Sequence, residues 1–151
     1  MTSFRQLSQQ RHGAWRRQAH NDLAFAKLAK DNGYWAQSCY YASQAAANGL
    51  KGALLEIGFE PPHTQLLNDL VQRLGDNGLN IEQLKVLPLR GLSRMAIQSR
   101  YPLDATPPSD LFDPADAEQA LATAAEVLDI LEALDQEDCS SQPPNWSDWT
   151  A

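Results

Sequence analysis

Gln44, Asn48 and Lys51 recur at intervals of four and three residues, and His63 follows them beyond Pro61-Pro62. An α-helix stacks that spacing on one stripe, so two amides and an ammonium face the same way. A second, apolar stripe on the same helix is made of Trp35, Cys39, Ala42, Ala46, Ala53 and Ile57. The chemistry this offers is recognition of a nucleotide phosphate or base by Gln44 and Lys51, with His63 as a candidate ligand contact or base. Arg100-Tyr101-Pro102 adds a planar cation and a ring. This triplet reads either as a helix end whose Arg reaches last-turn carbonyls, or as a phosphate contact at Arg100 with a base stacked on Tyr101. Arg90 and Arg94, one helical turn apart, extend the candidate phosphate surface toward Arg100.

The same residues also have purely structural readings. His63 is placed to hydrogen-bond in the loop at the entry of the next helix. Asp22 shares a stripe with Trp15, Ala19 and Ala26, so its carboxylate faces a neighbouring helix and needs a partner. Lys51, Gln44 or Tyr41 could supply that partner, which leaves two readings open: a polar network of Asp22, Gln44 and Lys51 between helices, or a ligand site built from those groups. Arg11, His12, Arg16 and Arg17 read as a solvated basic face.

Five helical segments must position these groups, and no strand-like alternation is present, so the expected fold is all-α. The first segment spans roughly residues 13–30 and stops at Asp31-Asn32-Gly33; the second runs from about Tyr34 to Ile57 and stops at Gly58. Its Ala and Gly content, including Gly49 and Gly52, predicts a closely approaching neighbour, because each helical Gly costs about 1 kcal/mol of propensity. A third segment carries Leu66, Leu67, Leu70, Val71 and Leu74 and stops at Gly75. A fourth starts at Asn80 with a candidate capping box to Gln83, and Pro88 and Gly91 break it. Residues 100–112, with three prolines, read as a loop. Asp113 and Pro114 are a cap and first residue for the last helix, whose stripe is Ala117, Leu121, Ala124, Leu128, Leu131 and Leu134. The domain is expected over 12–136, and 137–151, acidic and carrying Trp146 and Trp149, as a disordered tail or docking segment.

The chain of 151 residues suits one domain. Its net charge of −7 is unevenly distributed: residues 1–100 hold all twelve Lys and Arg against seven acids, whereas 101–151 hold twelve acids and no base. An acidic balance disfavours nonspecific duplex binding, which requires many phosphates to be neutralised. No apolar run approaches the roughly 20 residues of a membrane span, and 1–20 lacks a secretory apolar region, so a cytoplasmic, membrane-free location is expected. Cys39 and Cys139 suggest neither a disulfide framework nor a zinc site, and no metal or cofactor is expected.

Over about residues 12–135 the sequence resembles the HEPN family (higher eukaryotes and prokaryotes nucleotide-binding). The likeness lies in Trp15, Ala19, Asp22-Leu23 and Ala26; in Gly33-Tyr34, Ala36 and Ala42; in Gln44-Ala45-Ala46 with Leu50-Lys51; and in His63, Leu66, Leu70 and Arg100-Tyr101-Pro102. It implies an antiparallel helical bundle, a homodimer, a nucleotide or RNA ligand, and a small nucleotidyltransferase as partner. Two departures stand out. Ala47 occupies the position where the family commonly has Glu, and no His follows Arg100, whereas ribonuclease members carry a His four to six residues after the Arg. The resemblance therefore implies an accessory protein with weak or no catalysis. The alternatives are a metal-independent endoribonuclease toxin of a toxin-antitoxin pair, with Arg100 as the cation and His63 as replacement base, or a noncatalytic docking dimer.

Overall fold

The computed structural model describes residues 4–140, with side chains over 10–135. Within them lie seven helices and no strand: α1 (Phe4–Asp31), α2 (Trp35–Glu56), α3 (Leu67–Asp76), α4 (Glu82–Lys85), α5 (Leu89–Gln98), α6 (Pro108–Leu111) and α7 (Pro114–Ser140). α1 packs along α2, and α7 lies against both. Ion pairs from Arg16 to Asp135 and from His20 to Glu132 show α7 running antiparallel to α1. α7 therefore runs in the same direction as α2, which the crossover through α3–α6 permits.

Three helices end in the same way. Tyr34 N–H bonds Ala29 O, Phe59 N–H bonds Leu54 O, and Leu79 N–H bonds Leu74 O, each closing around a glycine of positive φ: Gly33, Gly58 and Gly78. Such a left-handed position favours glycine because a Cβ is strained there. The expected stop at Gly75 is thus displaced to Gly78. Gly75 lies inside α3, where an added Cβ would come within 2.5 Å of Ile81 Cδ1, so it serves packing rather than termination.

Other boundaries differ for equally local reasons. α1 starts at Phe4 and runs through Gly13, its paired face against α2 sustaining the helix across that residue. Pro88 alone divides the fourth segment into α4 and α5, and exposed Gly91 continues the helix. Asn80 Oδ1 accepts from Glu82 N–H at 3.2 Å, an Asx turn in place of the capping box to Gln83. The loop after residue 100 contains the single turn α6. Asp113 Oδ1 accepts from Asp116 N–H at 2.8 Å and Asp116 Oδ2 from Asp113 N–H at 3.0 Å, the reciprocal cap that starts α7. α7 continues to Ser140, beyond the expected end near 136; Trp146 and Trp149 lie outside the described residues.

The core is lined by Cys39, Ala42, Ala46, Leu50 and Leu54 of α2, by Leu67, Leu70 and Leu74 of α3, and by Ala117, Ala124 and Val127 of α7. The close approach expected at the small residues of α2 is present. A Cβ on Gly49 would lie 2.5 Å from Leu128 Cδ2, and one on Gly52 would lie 3.0 Å from Trp15 Cβ and 3.5 Å from the His12 carbonyl oxygen. Cys39 is fully buried, and burial pushes its thiol pKa up to about 12, assisted by Asp116 and Asp113. It is a packing residue, not a nucleophile.

Candidate functional site

The polar stripe of α2 divides among three environments. At its centre Asn48 Nδ2 donates to Asp22 Oδ2 at 2.8 Å, and Gln18 Nε2 donates to Asp22 Oδ1 at 2.9 Å. The buried carboxylate of Asp22 is thus satisfied by two neutral amides, which corrects the expected pairing with Lys51, Gln44 or Tyr41. Gln18 sits one turn before Asp22 on α1, and Asn48 is the residue of α2 that faces it across the interface. Toward the C-terminal end of α2, Lys51 is buried with its Nζ 5.9 Å from the Trp15 ring centroid, and burial lowers its pKa. Toward the other end Gln44 Nε2 donates to Gln65 Oε1 at 3.2 Å, tying α2 to the loop before α3. The expected Asp22–Gln44–Lys51 network is therefore a Gln18–Asp22–Asn48 network with Lys51 and Gln44 outside it.

Arg100 has a different setting. Its guanidinium carbon lies 5.1 Å from the Tyr40 ring centroid and 5.3 Å from that of Tyr101. Tyr40 meets Tyr41 edge-on at 5.1 Å, and Tyr41 meets Phe25 edge-on at 4.7 Å. α1, α2 and the segment after α5 thus contribute one row: Phe25, Tyr41, Tyr40, Arg100, Tyr101. Phe25 and Tyr101 remain exposed at 47% and 57%. No carboxylate pairs with Arg100 among the described residues, and its side chain lies on rings rather than on last-turn carbonyls, which removes the helix-end reading. Sequence reasoning missed Tyr40 and Phe25. The adjacent Tyr40-Tyr41, one turn before Gln44, was the available signal.

His63 is exposed in the loop before α3, where it lowers the pKa of Glu60 electrostatically, behind the larger hydrogen bond from Arg11. It makes no hydrogen bond among the described residues. The loop is ordered instead by Thr64 Oγ1, which accepts from Leu66 N–H at 3.1 Å. No hydrogen bond, ion pair or ring contact joins His63 to Arg100. Arg90 and Arg94 line a cavity of about 280 Å³ between the start of α3 and α5, beside Leu66, Asn68, Asp69, Ser93 and Ile97.

Of the expected solvated face, Arg17 is exposed and makes no ion pair among the described residues, but Arg11, His12 and Arg16 meet carboxylates. Arg11 Nη2 reaches Glu60 Oε1 at 2.7 Å, and Arg16 bridges Glu56 Oε2 at 3.2 Å and Asp135 Oδ2 at 2.9 Å. His12 Nδ1 lies 3.8 Å from Glu56 Oε2, and burial, then the charge of Arg16, lowers its pKa against an opposing pull from Asp135. Asp135 is held below its usual carboxylate range by a hydrogen bond with Glu56 and by Arg16, against the opposing effect of burial. His20 pairs with Glu132 at 2.6 Å. Among the described residues no group of three or more His, Cys, Asp or Glu is placed to hold a metal ion, and no helix is long and apolar enough to cross a membrane.

Fold and surface together define a small all-helical domain with a cationic-aromatic row on one face. A profile of the HEPN domain matches residues 12–134, and the chain belongs to the HEPN family. The crystal structure of TT1696 from Thermus thermophilus is similar at 28% identity and a TM-score of 0.76, over 82% of this chain and 98% of that one. Comparison with curated proteins gave no match.

Proposed function

We propose that this HEPN protein is an accessory that binds nucleotide or single-stranded RNA without cleaving it. The observation that carries the reading is Arg100, an exposed cation held on Tyr40 and Tyr101 with no carboxylate paired to it among the described residues. Stacking on rings accepts any base, and the guanidinium supplies phosphate attraction and a stacking plane of its own. The net charge of −7 favours a local, single-stranded contact over broad duplex binding.

Cleavage in the manner of the family ribonucleases needs a base beside the cation. The three histidines stand elsewhere: His12 beside Glu56, His20 on Glu132, and His63 beside Glu60. That distribution favours binding over the endoribonuclease alternative. The expected homodimer has a candidate face in an open apolar groove of about 490 Å³ between α1 and α7, lined by Leu23, Ala24, Leu121, Ala122 and Ala125. Light scattering tests it: a monomer at all concentrations removes the dimer.

The functional reading is tested by fluorescence anisotropy with a labelled single-stranded RNA at low salt in EDTA. Expected are binding, an intact RNA, and weaker binding in Arg100→Ala and Tyr40→Ala. No binding at low salt overturns the reading. RNA cleavage that Arg100→Ala abolishes replaces it with the ribonuclease.

A further inference from the structure

We infer that the cavity between the start of α3 and α5 is a separate site for one nucleoside 5′-phosphate. The inference rests on the nucleotide reading above for its ligand class, but on none of the residues of the Arg100 row. Arg90 and Arg94 stand one turn apart on α5, both exposed, and neither makes an ion pair among the described residues. Two such guanidiniums can grip one phosphate in a bidentate manner, which a solvated surface charge alone does not do.

The remaining walls specify the rest of the ligand. Asn68 lines the same wall, and its Oδ1 is closed to solvent with no hydrogen-bond partner among the described residues. An acceptor without a donor costs free energy that a hydroxyl or amine of the ligand recovers once the Asn68 amide turns toward it. Asp69 places a second acceptor in the same wall, suited to sugar hydroxyls and unsuited to a second phosphate. Leu66 and Ile97, 49% and 57% exposed, supply apolar surfaces for a ring. The wall that joins the two helices is fixed, because buried Ser93 Oγ accepts from Leu67 N–H at 3.1 Å. At about 280 Å³ the cavity is near the lower bound of ligand pockets, roughly 300 Å³, which favours one nucleotide over two.

The same chemistry can arrive as a free mononucleotide or as the 5′ end of an RNA strand, since Gln65, bonded to Gln44, is adjacent in sequence to Leu66 and so connects the cavity to α2. The test is calorimetric titration of the full chain with adenosine 5′-monophosphate and with adenosine, beside anisotropy with matched oligoribonucleotides bearing a 5′-phosphate or a 5′-hydroxyl. A free-nucleotide site gives binding of the monophosphate that exceeds that of adenosine. A strand-end site gives preference for the 5′-phosphorylated oligonucleotide.

In either case Arg90→Gln/Arg94→Gln weakens the phosphate-dependent signal at least about tenfold with an unchanged melting temperature. Exposed Ile97→Asp, which places a like charge beside the phosphate, acts in the same direction. Arg16→Ala, at the ion-paired junction of α1, α2 and α7, leaves the monophosphate signal in place. Monophosphate and 5′-phosphorylated RNA that bind the double variant as they bind the wild type overturn the inference, as does the absence of any phosphate dependence. Monophosphate binding lost in Arg100→Ala but kept in the double variant places the ligand on the aromatic row, sinking the cavity while preserving the functional reading.

Discussion

Arg16 and Arg100 are the same side chain in opposite circumstances. At the junction of α1, α2 and α7, Arg16 lies between Glu56 and Asp135, and the neighbouring Arg11 and His20 also meet carboxylates. Arg100, by contrast, lies on the rings of Tyr40 and Tyr101, and Arg90 and Arg94 share the cavity between α3 and α5 with Asn68, Asp69 and apolar side chains; none of the three makes an ion pair among the described residues. A cation already matched within the fold holds helices in place, whereas one held on aromatic faces keeps its charge available for a ligand. The local environment of each Arg, rather than the number of basic residues, separates the ion-paired junction from the candidate site in this molecule.

On that contrast, changes at the junction are expected to alter stability, and changes at the open face to alter the proposed binding. The largest effect is expected from Gly52→Leu, which drives a side chain into Trp15 and the His12 carbonyl and should destabilise by about 3 kcal/mol or more, read as a lowered melting temperature. Asp22→Ala leaves the amides of Gln18 and Asn48 without their shared acceptor and should cost about 1–3 kcal/mol in denaturant unfolding. Retained stability in that variant means the network does not hold α1 to α2. Arg16→Ala, part-exposed, should cost about 1 kcal/mol and leave RNA affinity unchanged.

The pH dependence sharpens the same comparison. His12 has a folded pKa below its ordinary 6.5, so the unfolded chain takes up the proton first. Its contribution is complete above that value and is lost as pH falls through the window beneath it. Asp135, with its folded pKa below 3.8, contributes stability present above that value and lost on further acidification through the folded value. Melting temperature should therefore decline below about pH 6.5 and decline less in His12→Gln. An unchanged pH profile in that variant removes His12 from the junction's energetics.

The sequence revealed the helices well because periodic apolar positions and glycine stops are local signals. Gly33 and Gly58 end helices where expected, and the small residues of α2 announced a close neighbour. Gly75 was misread because a glycine that ends a helix and one that admits Ile81 look alike before the chain is packed. The candidate site was legible only in part. Arg90 with Arg94 could be read from one-turn spacing, but the contact of Arg100 with Tyr40 spans sixty positions and depends on how α5 meets α2. Asp22 was rightly placed in an interface, yet its neutral partner Asn48 was passed over for charged or larger neighbours that the packing sets elsewhere.

The most direct test pairs the two arginines in one salt-dependent titration of single-stranded RNA. Arg100→Ala should weaken binding by about tenfold and flatten the salt dependence, each lost phosphate contact on a single strand reducing the log–log slope by about 0.7, while Arg16→Ala should match the wild type. Equal losses in both variants, or a loss confined to Arg16→Ala, would contradict the division between a closed junction and an open face.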